Sequence, residues 1–118
     1  TMNIIFGREN AAVLGKNYTV LELDTIRFSN NELSAFCVVE SIPILKMPKI
    51  EEMKTLHQNL LIEYRKRNWN FCNQALEHLV GFWGDDMDTF YSNLKIRIDE
   101  FEHSNPGDDW TGIITKIA

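Results

Sequence analysis

Cysteine, proline and long apolar runs are all scarce in this sequence, and each scarcity closes off a class of protein. Two cysteines, Cys37 and Cys72, are too few for a disulfide framework. Cys37 falls in an apolar strand-like stretch and Cys72 in a helical one, so both read as reduced, buried thiols. No apolar stretch approaches the roughly 18–20 residues that a membrane-crossing helix needs, and the longest, Ala35–Val39, stops at Glu40. The first residues carry no basic segment followed by an apolar stretch and a small-residue cleavage site. The expectation is therefore a cytoplasmic chain with no secretory signal and no membrane contact. Thr1, ahead of Met2, reads as a remnant and is set aside. Phosphate loops and nucleophile elbows are missing as well: Phe6-Gly7-Arg8 has neither the further glycines nor the following Lys-Ser/Thr that such a loop needs. No cofactor is expected.

What remains is ordinary for a globular domain. The 118 residues suit one domain with a single core, and 44% hydrophobic with 25% charged residues argues against disorder. The net charge of −5 argues against nucleic acid as the main partner, because phosphate neutralisation supplies most of that affinity.

Along the chain, Met2–Phe6 is a short β-prone run, and Glu9–Leu14 reads as a helical turn or two closed by Gly15 at the position after the helix. Tyr18–Phe28 is β-branched and aromatic, with Leu21 and Leu23 on one face and Ile26 and Phe28 on the other; a bulge near Asp24 reconciles the halves. Ser29-Asn30-Asn31-Glu32 is a turn in which Asn would take the positive φ, and Leu33–Ile42 returns as a strand. Pro43 and Pro48 bracket an extended connection.

From Ile50 the apolar period changes to about 3.6. One helix is expected over 50–67, with Met53, Leu56, Leu60, Leu61 and Tyr64 inside, and a second over 71–83, broken by Gly84. A third, capped by Asp85 or Asp86, carries Phe90, Leu94, Ile98 and Phe101 and ends at Asn105-Pro106-Gly107. A two-residue linker, Asn68-Trp69, makes the first two a helical hairpin. The expected class is α+β: one domain over 1–118, with a small, mostly antiparallel sheet in 2–48 (hairpin 18–42) packed with a three-helix segment in 49–104. Residues 105–118 are expected to dock as a tail.

The stretch Tyr64-Arg65-Lys66-Arg67-Asn68-Trp69-Asn70-Phe71-Cys72 resembles the tetratricopeptide signature, an aromatic closing one helix, a tight turn with a second aromatic, then a small residue opening the next helix. Trp69 matches the turn aromatic, Cys72 the small residue, Leu76 and Leu79 the later apolar positions, and Phe90 and Leu94 those of a following helix; Arg67 stands where glycine is usual. Together with Asp108-Asp109-Trp110-Thr111-Gly112, this segment is similar to the helical tail of some bacterial adenylate/guanylate cyclases, over about residues 56–115 and without the catalytic domain. The whole chain also resembles small uncharacterised proteins of marine viruses that infect cyanobacteria. These resemblances imply a partner-binding scaffold, located in the host cytoplasm if the chain is viral.

Four groups of residues invite a functional reading. Glu22, Asp24 and Glu40 could meet across the hairpin as an acid/base pair or a metal site, the basis of the alternative in which the chain is a small metal- or nucleotide-dependent enzyme. Exposed carboxylates on the wet face of a sheet account for them equally. His57, His78 and His103 have no metal-ligand spacing, and surface positions are expected for His57 and His78, so no metal is assigned. Arg65, Lys66, Arg67 and Trp69 form a basic-aromatic cluster suited to single-stranded nucleic acid, although the helix dipole and the turn explain them as well. Phe82, Trp83 and Trp110 are the candidates for contact with a partner, either another protein or a second copy in a homodimer, and an unpaired sheet edge is a further candidate surface. The leading expectation is a non-catalytic protein-interaction or assembly module.

Overall fold

The computed structural model describes residues 3–40 and 42–116, and the fold is α+β. Of these, 3–40 and 112–116 form one compact unit and 42–111 form another.

The first unit is a four-stranded sheet with one helix. Strand β1 (Ile4–Phe6), helix α1 (Arg8–Leu14), β2 (Thr19–Phe28), β3 (Asn31–Val39) and the distant β4 (Ile114–Lys116) appear in chain order, and the sheet order is β1-β3-β2-β4. β1 and β2 both pair antiparallel with β3. The bulge falls where the broken alternation placed it: Glu22 pairs with Phe36 and Thr25 with Ser34, so Leu23 and Asp24 together oppose Ala35. It does not turn the second apolar pair inward. Leu21, Leu23 and Thr25 are buried, whereas Phe28 is exposed. Thr25 is accommodated by a 3.0 Å hydroxyl–hydroxyl hydrogen bond to Ser34 across the strands.

Three local expectations are corrected in this unit. The hairpin turn takes its positive φ at Ser29 (51°) rather than at an asparagine, because Phe28 pairs with Asn31 and leaves Ser29-Asn30 as the two-residue loop. Gly15 stays right-handed at φ −63°, its N–H bonded to Ala11 O, so it caps the helix without the left-handed turn glycine usually supplies. The tail contributes a strand that its length concealed: β4, three residues long, lies parallel to β2 with Ile114 beside Ile26. Ile117, the last residue of the expected apolar tail, lies outside the described residues.

The second unit begins with a 3-10 segment, Ile44–Lys49, where an extended connection was expected. Pro48 sits within it, since proline's fixed φ suits helical backbone once the preceding carbonyls need not bond to its nitrogen. Helices α2 (Ile50–Arg65), α3 (Trp69–Leu79) and α4 (Asp85–His103) follow. Buried stripes at helical spacing run along all three: Met53, His57, Leu60, Leu61 and Tyr64; Cys72, Ala75, Leu76 and Leu79; Met87, Phe90, Tyr91, Leu94 and Ile98. At Cys72 the helices of the hairpin pack closely enough for the thiol to reach the carbonyl of Leu60 at 3.8 Å.

The helix ends differ from the sequence pattern by a few residues, each for a visible reason. The turn between α2 and α3 is Lys66-Arg67-Asn68, with Arg67 in the left-handed region at φ 65°. Asn68 caps α3, its side-chain oxygen accepting the N–H of Phe71 at 3.3 Å, so the helix starts at Trp69. It ends at Leu79 rather than Trp83, because Val80 turns extended and Gly81 takes φ 88°. Neither Asp85 nor Asp86 caps α4. Gly84 at φ 118° occupies that position, and both aspartates, with Asp88, lie in the first turn where the helix dipole favours negative charge.

Candidate functional site

The structure places each candidate group among definite neighbours. Glu22, partly shielded on β2, forms a 2.8 Å ion pair with Arg8 of α1, and the Arg8 guanidinium lies 5.7 Å from the centre of the Phe36 ring. Asp24 lies two residues on, in the bulge. Glu40, by contrast, follows the rung that joins Thr19 to Val39, four positions along the ladder from Glu22, which at ~3.3 Å per residue is about 13 Å. The three carboxylates do not converge, and no cluster of three His, Cys, Asp or Glu able to hold a metal occurs among the described residues.

The basic-aromatic cluster is spent inside the helical unit. The Arg67 guanidinium donates to Asn105 Oδ1 at 2.9 Å, to the carbonyl of Gly107, and to the carbonyl of Trp110 at 3.2 Å, and it lies 5.4 Å from the Trp110 ring centre. Trp69 stacks on Phe101 at 5.5 Å, and Tyr64, Trp69, Phe101 and Trp110 touch one another edge-on or stacked. Arg97 covers Tyr64 from 5.8 Å. Lys66 is 3.7 Å from Glu63, its neighbour one turn back. Arg65 and Lys66 remain exposed, but the ring that a nucleotide base would stack on is already occupied.

Of the aromatic partner candidates, Trp83 is buried, and Phe82 and Trp110 are half-buried. Trp83 lies 4.7 Å edge-on from Phe82, and its indole N–H has no hydrogen-bond partner among the described residues. Phe82 is half-buried and faces Lys46, whose ammonium donates to the carbonyls of Gly81 at 3.0 Å and Phe82 at 2.8 Å. Trp110 belongs to the aromatic cluster held by Arg67. His57 is fully buried rather than on the surface, its Nδ1 2.9 Å from the hydroxyl of Tyr91. It takes the inward position that Leu56, now half-buried, was expected to hold. His78 and His103 are exposed. Cys72 is fully buried, and that burial, reinforced by the negative charge of Glu63, pushes its thiol up to about 12, so it is neither nucleophile nor ligand at neutral pH.

The surface that the sequence reading missed lies between α3 and α4. A groove of about 540 Å³ is floored by the buried Leu76 and Tyr91 and flanked by Val80 and Ile96, which are 52% and 57% exposed. Such a volume falls in the range of ligand sites, but two of the polar residues beside it, Asn73 and Lys95, are already engaged with each other, while Glu77 and Ser92 lie exposed at its edge. Lys95 donates to Asn73 Oδ1 at 2.7 Å and pairs with Asp99 at 3.0 Å; Asn73 in turn donates to Glu102 at 2.8 Å. These bonds pin α3 to α4 and fix the groove's width without aiming a reactive group into it. A second apolar feature adjoins it. Ile44, Leu45 and Met47 of the 3-10 segment are 79%, 94% and 52% exposed, and Lys46 ties that segment to Gly81, next to Val80. The sequence carries this signal at Ile96, an apolar residue off the buried stripe of α4; Val80, which helical spacing groups with Ala75, Leu76 and Leu79 as an inward residue, is instead extended after α3 and more than half exposed.

No helix among the described residues is long and apolar enough to cross a membrane. No family model, curated protein or solved structure matches the chain.

Proposed function

We infer that the chain is a non-catalytic protein-interaction module, and that the groove between α3 and α4 receives apolar side chains of another chain. The observation that carries this is the groove itself, apolar on its floor and both flanks, with Val80 and Ile96 more than half exposed beside it. Asn73 and Lys95 beside it satisfy each other, and Glu77 and Ser92 lie exposed at its edge, so the site offers chiefly shape and apolar surface. The resemblance of 64–72 to the tetratricopeptide turn points the same way, since hairpins of that kind serve as partner-binding scaffolds. The carboxylates of the sheet support an enzyme poorly, because Glu22 is neutralised by Arg8 and Glu40 stands far along the ladder.

The test is a display selection for short amphipathic peptides, followed by amide chemical-shift mapping on the labelled protein. Selected peptides are expected to shift resonances in 73–80 and 91–96 and to lose binding in Ile96→Glu, whose exposed position leaves the fold intact. Peptides that map elsewhere, or that bind Ile96→Glu undiminished, overturn the reading. So does thermal stabilisation by a nucleotide or divalent cation that Glu22→Gln abolishes.

A further inference from the structure

The groove and the exposed 3-10 segment lie side by side on one unit, and their chemistries match. Ile44, Leu45 and Met47 form a projecting apolar peg, stiffened by the flanking Pro43 and the internal Pro48 and anchored by the two bonds of Lys46. Leu45, at 94% exposure, buries almost nothing within its own chain. The peg ends in Lys49 and the groove is edged by Glu77; both are exposed, and neither has an ion-pair partner among the described residues. We propose that the groove is filled by the peg of a second copy of this chain, giving a two-fold dimer in which each Leu45 enters the partner's groove and each Lys49 meets the partner's Glu77.

The argument for a second copy is threefold. A two-fold interface requires one patch that is complementary to itself, and a projecting peg beside a groove has that form. The charges agree in sign. The area is that of a weak, transient dimer rather than a permanent one: fully burying an exposed aliphatic side chain removes roughly 60–120 Å² from water. Scaled by their exposures, Ile44, Leu45, Met47, Val80 and Ile96 therefore supply about 200–400 Å² per copy. A standard interface takes about 800 Å² per partner, so with the rim formed by Lys49, Glu77 and Ser92 this one stays at the small end. So small an interface is expected to associate weakly, in roughly the high micromolar range.

This proposal rests on the groove being a docking site, and the experiment separates the two. Sedimentation equilibrium between roughly 5 and 500 µM, at ~0.15 M salt where charges beyond about 8 Å are screened, is expected to show a mass rising from 13.8 kDa toward twice that value. Leu45→Glu and Ile96→Glu each abolish the rise. Mixed together they regain weak association, because the intact peg of Ile96→Glu fits the intact groove of Leu45→Glu. Lys49→Glu or Glu77→Lys alone weakens the dimer about fivefold, and the double exchange restores it. A monomer at every concentration, or a dimer indifferent to Leu45→Glu, overturns the proposal. In either case the peptide titration is repeated on Leu45→Glu, whose groove is unaltered. Uptake there leaves the groove a docking site for a different protein, and its absence removes the docking reading as well.

Discussion

Arg67 is the residue whose replacement tests most directly how the helical unit holds its last segment. Its guanidinium bonds Asn105, Gly107 and Trp110 and covers the Trp110 ring, so one side chain ties the turn after α2 to the residues that follow α4. A hydrogen bond from a charged donor is worth about 1.5–3 kcal/mol when buried, and half-exposure lowers each of these toward about 1 kcal/mol. The cation–ring contact adds about 0.5–1 kcal/mol. Arg67→Ala is therefore expected to cost about 3 kcal/mol, which in a unit of this size lowers Tm by roughly 10 °C or more.

The backbone gives this prediction a second edge. Arg67 stands at φ 65°, which strains an L-residue by about 1–2 kcal/mol and glycine hardly at all. Arg67→Gly loses the same three bonds yet relieves the turn, so it should be about 1 kcal/mol more stable than Arg67→Ala. Arg67→Lys keeps the charge without the planar fork and falls between the wild type and Ala. Urea unfolding followed by tryptophan fluorescence is the assay, because Trp69, Trp83 and Trp110 all lie in this unit and report on it alone. A loss below about 0.5 kcal/mol for Arg67→Ala, the range of an ordinary surface change, refutes the clamp. Arg67→Gly less stable than Arg67→Ala refutes the backbone argument.

Three further outcomes follow from the same unit. Cys72, its thiol pushed from 9.0 up to about 12, is expected to resist iodoacetamide at pH 8 in the folded protein and react promptly in urea. The unfolded chain gives up that proton first, so the contribution of Cys72 to stability is intact below pH 9.0 and falls as pH climbs toward 12; Cys72→Ala flattens this slope in unfolding curves taken at pH 8 and pH 10.5. Gly81→Ala meets no atom within 4 Å, yet φ 88° makes it cost about 1–2 kcal/mol by thermal denaturation. A neutral result would show that Val80-Gly81 can turn another way. Tyr91→Phe removes the 2.9 Å partner of the buried His57 and is expected to cost about 1–3 kcal/mol in urea, against little change for the exposed His78→Ala.

The elements that could be read from sequence are those whose signal is periodic. The stripes of α2, α3 and α4 and the β2–β3 hairpin with its bulge all repeat an apolar spacing over ten residues or so, and burial enforces such patterns. What escaped was set by single residues. Whether Gly81 or Gly84 ends α3 depends on which of two left-handed glycines comes first, and both have positive φ. That the turn opens at Ser29 depends on the pairing of Phe28 with Asn31. β4 has three residues, too few for any alternation, and it acquires its identity only by lying beside Ile26–Phe28.

The candidate site was misplaced for a related reason. Large rings and basic residues draw attention in a linear reading because they suit binding, but they suit packing equally well, and only contacts distinguish the two uses. Tyr64, Trp69, Phe101 and Trp110 saturate one another, and the arginine that looked available for phosphate is the clamp across them. The apolar surface still open to water in this unit lies with plainer residues. Leu45 projects from a proline-stiffened turn, and Val80 and Ile96 stand off the buried stripes, each giving water an apolar surface that folding did not remove. A buried tryptophan has already contributed its apolar area to the fold, whereas an exposed leucine retains that contribution for association. The most exposed apolar surface of the helical unit is accordingly aliphatic, while its aromatics are buried or half-buried against one another.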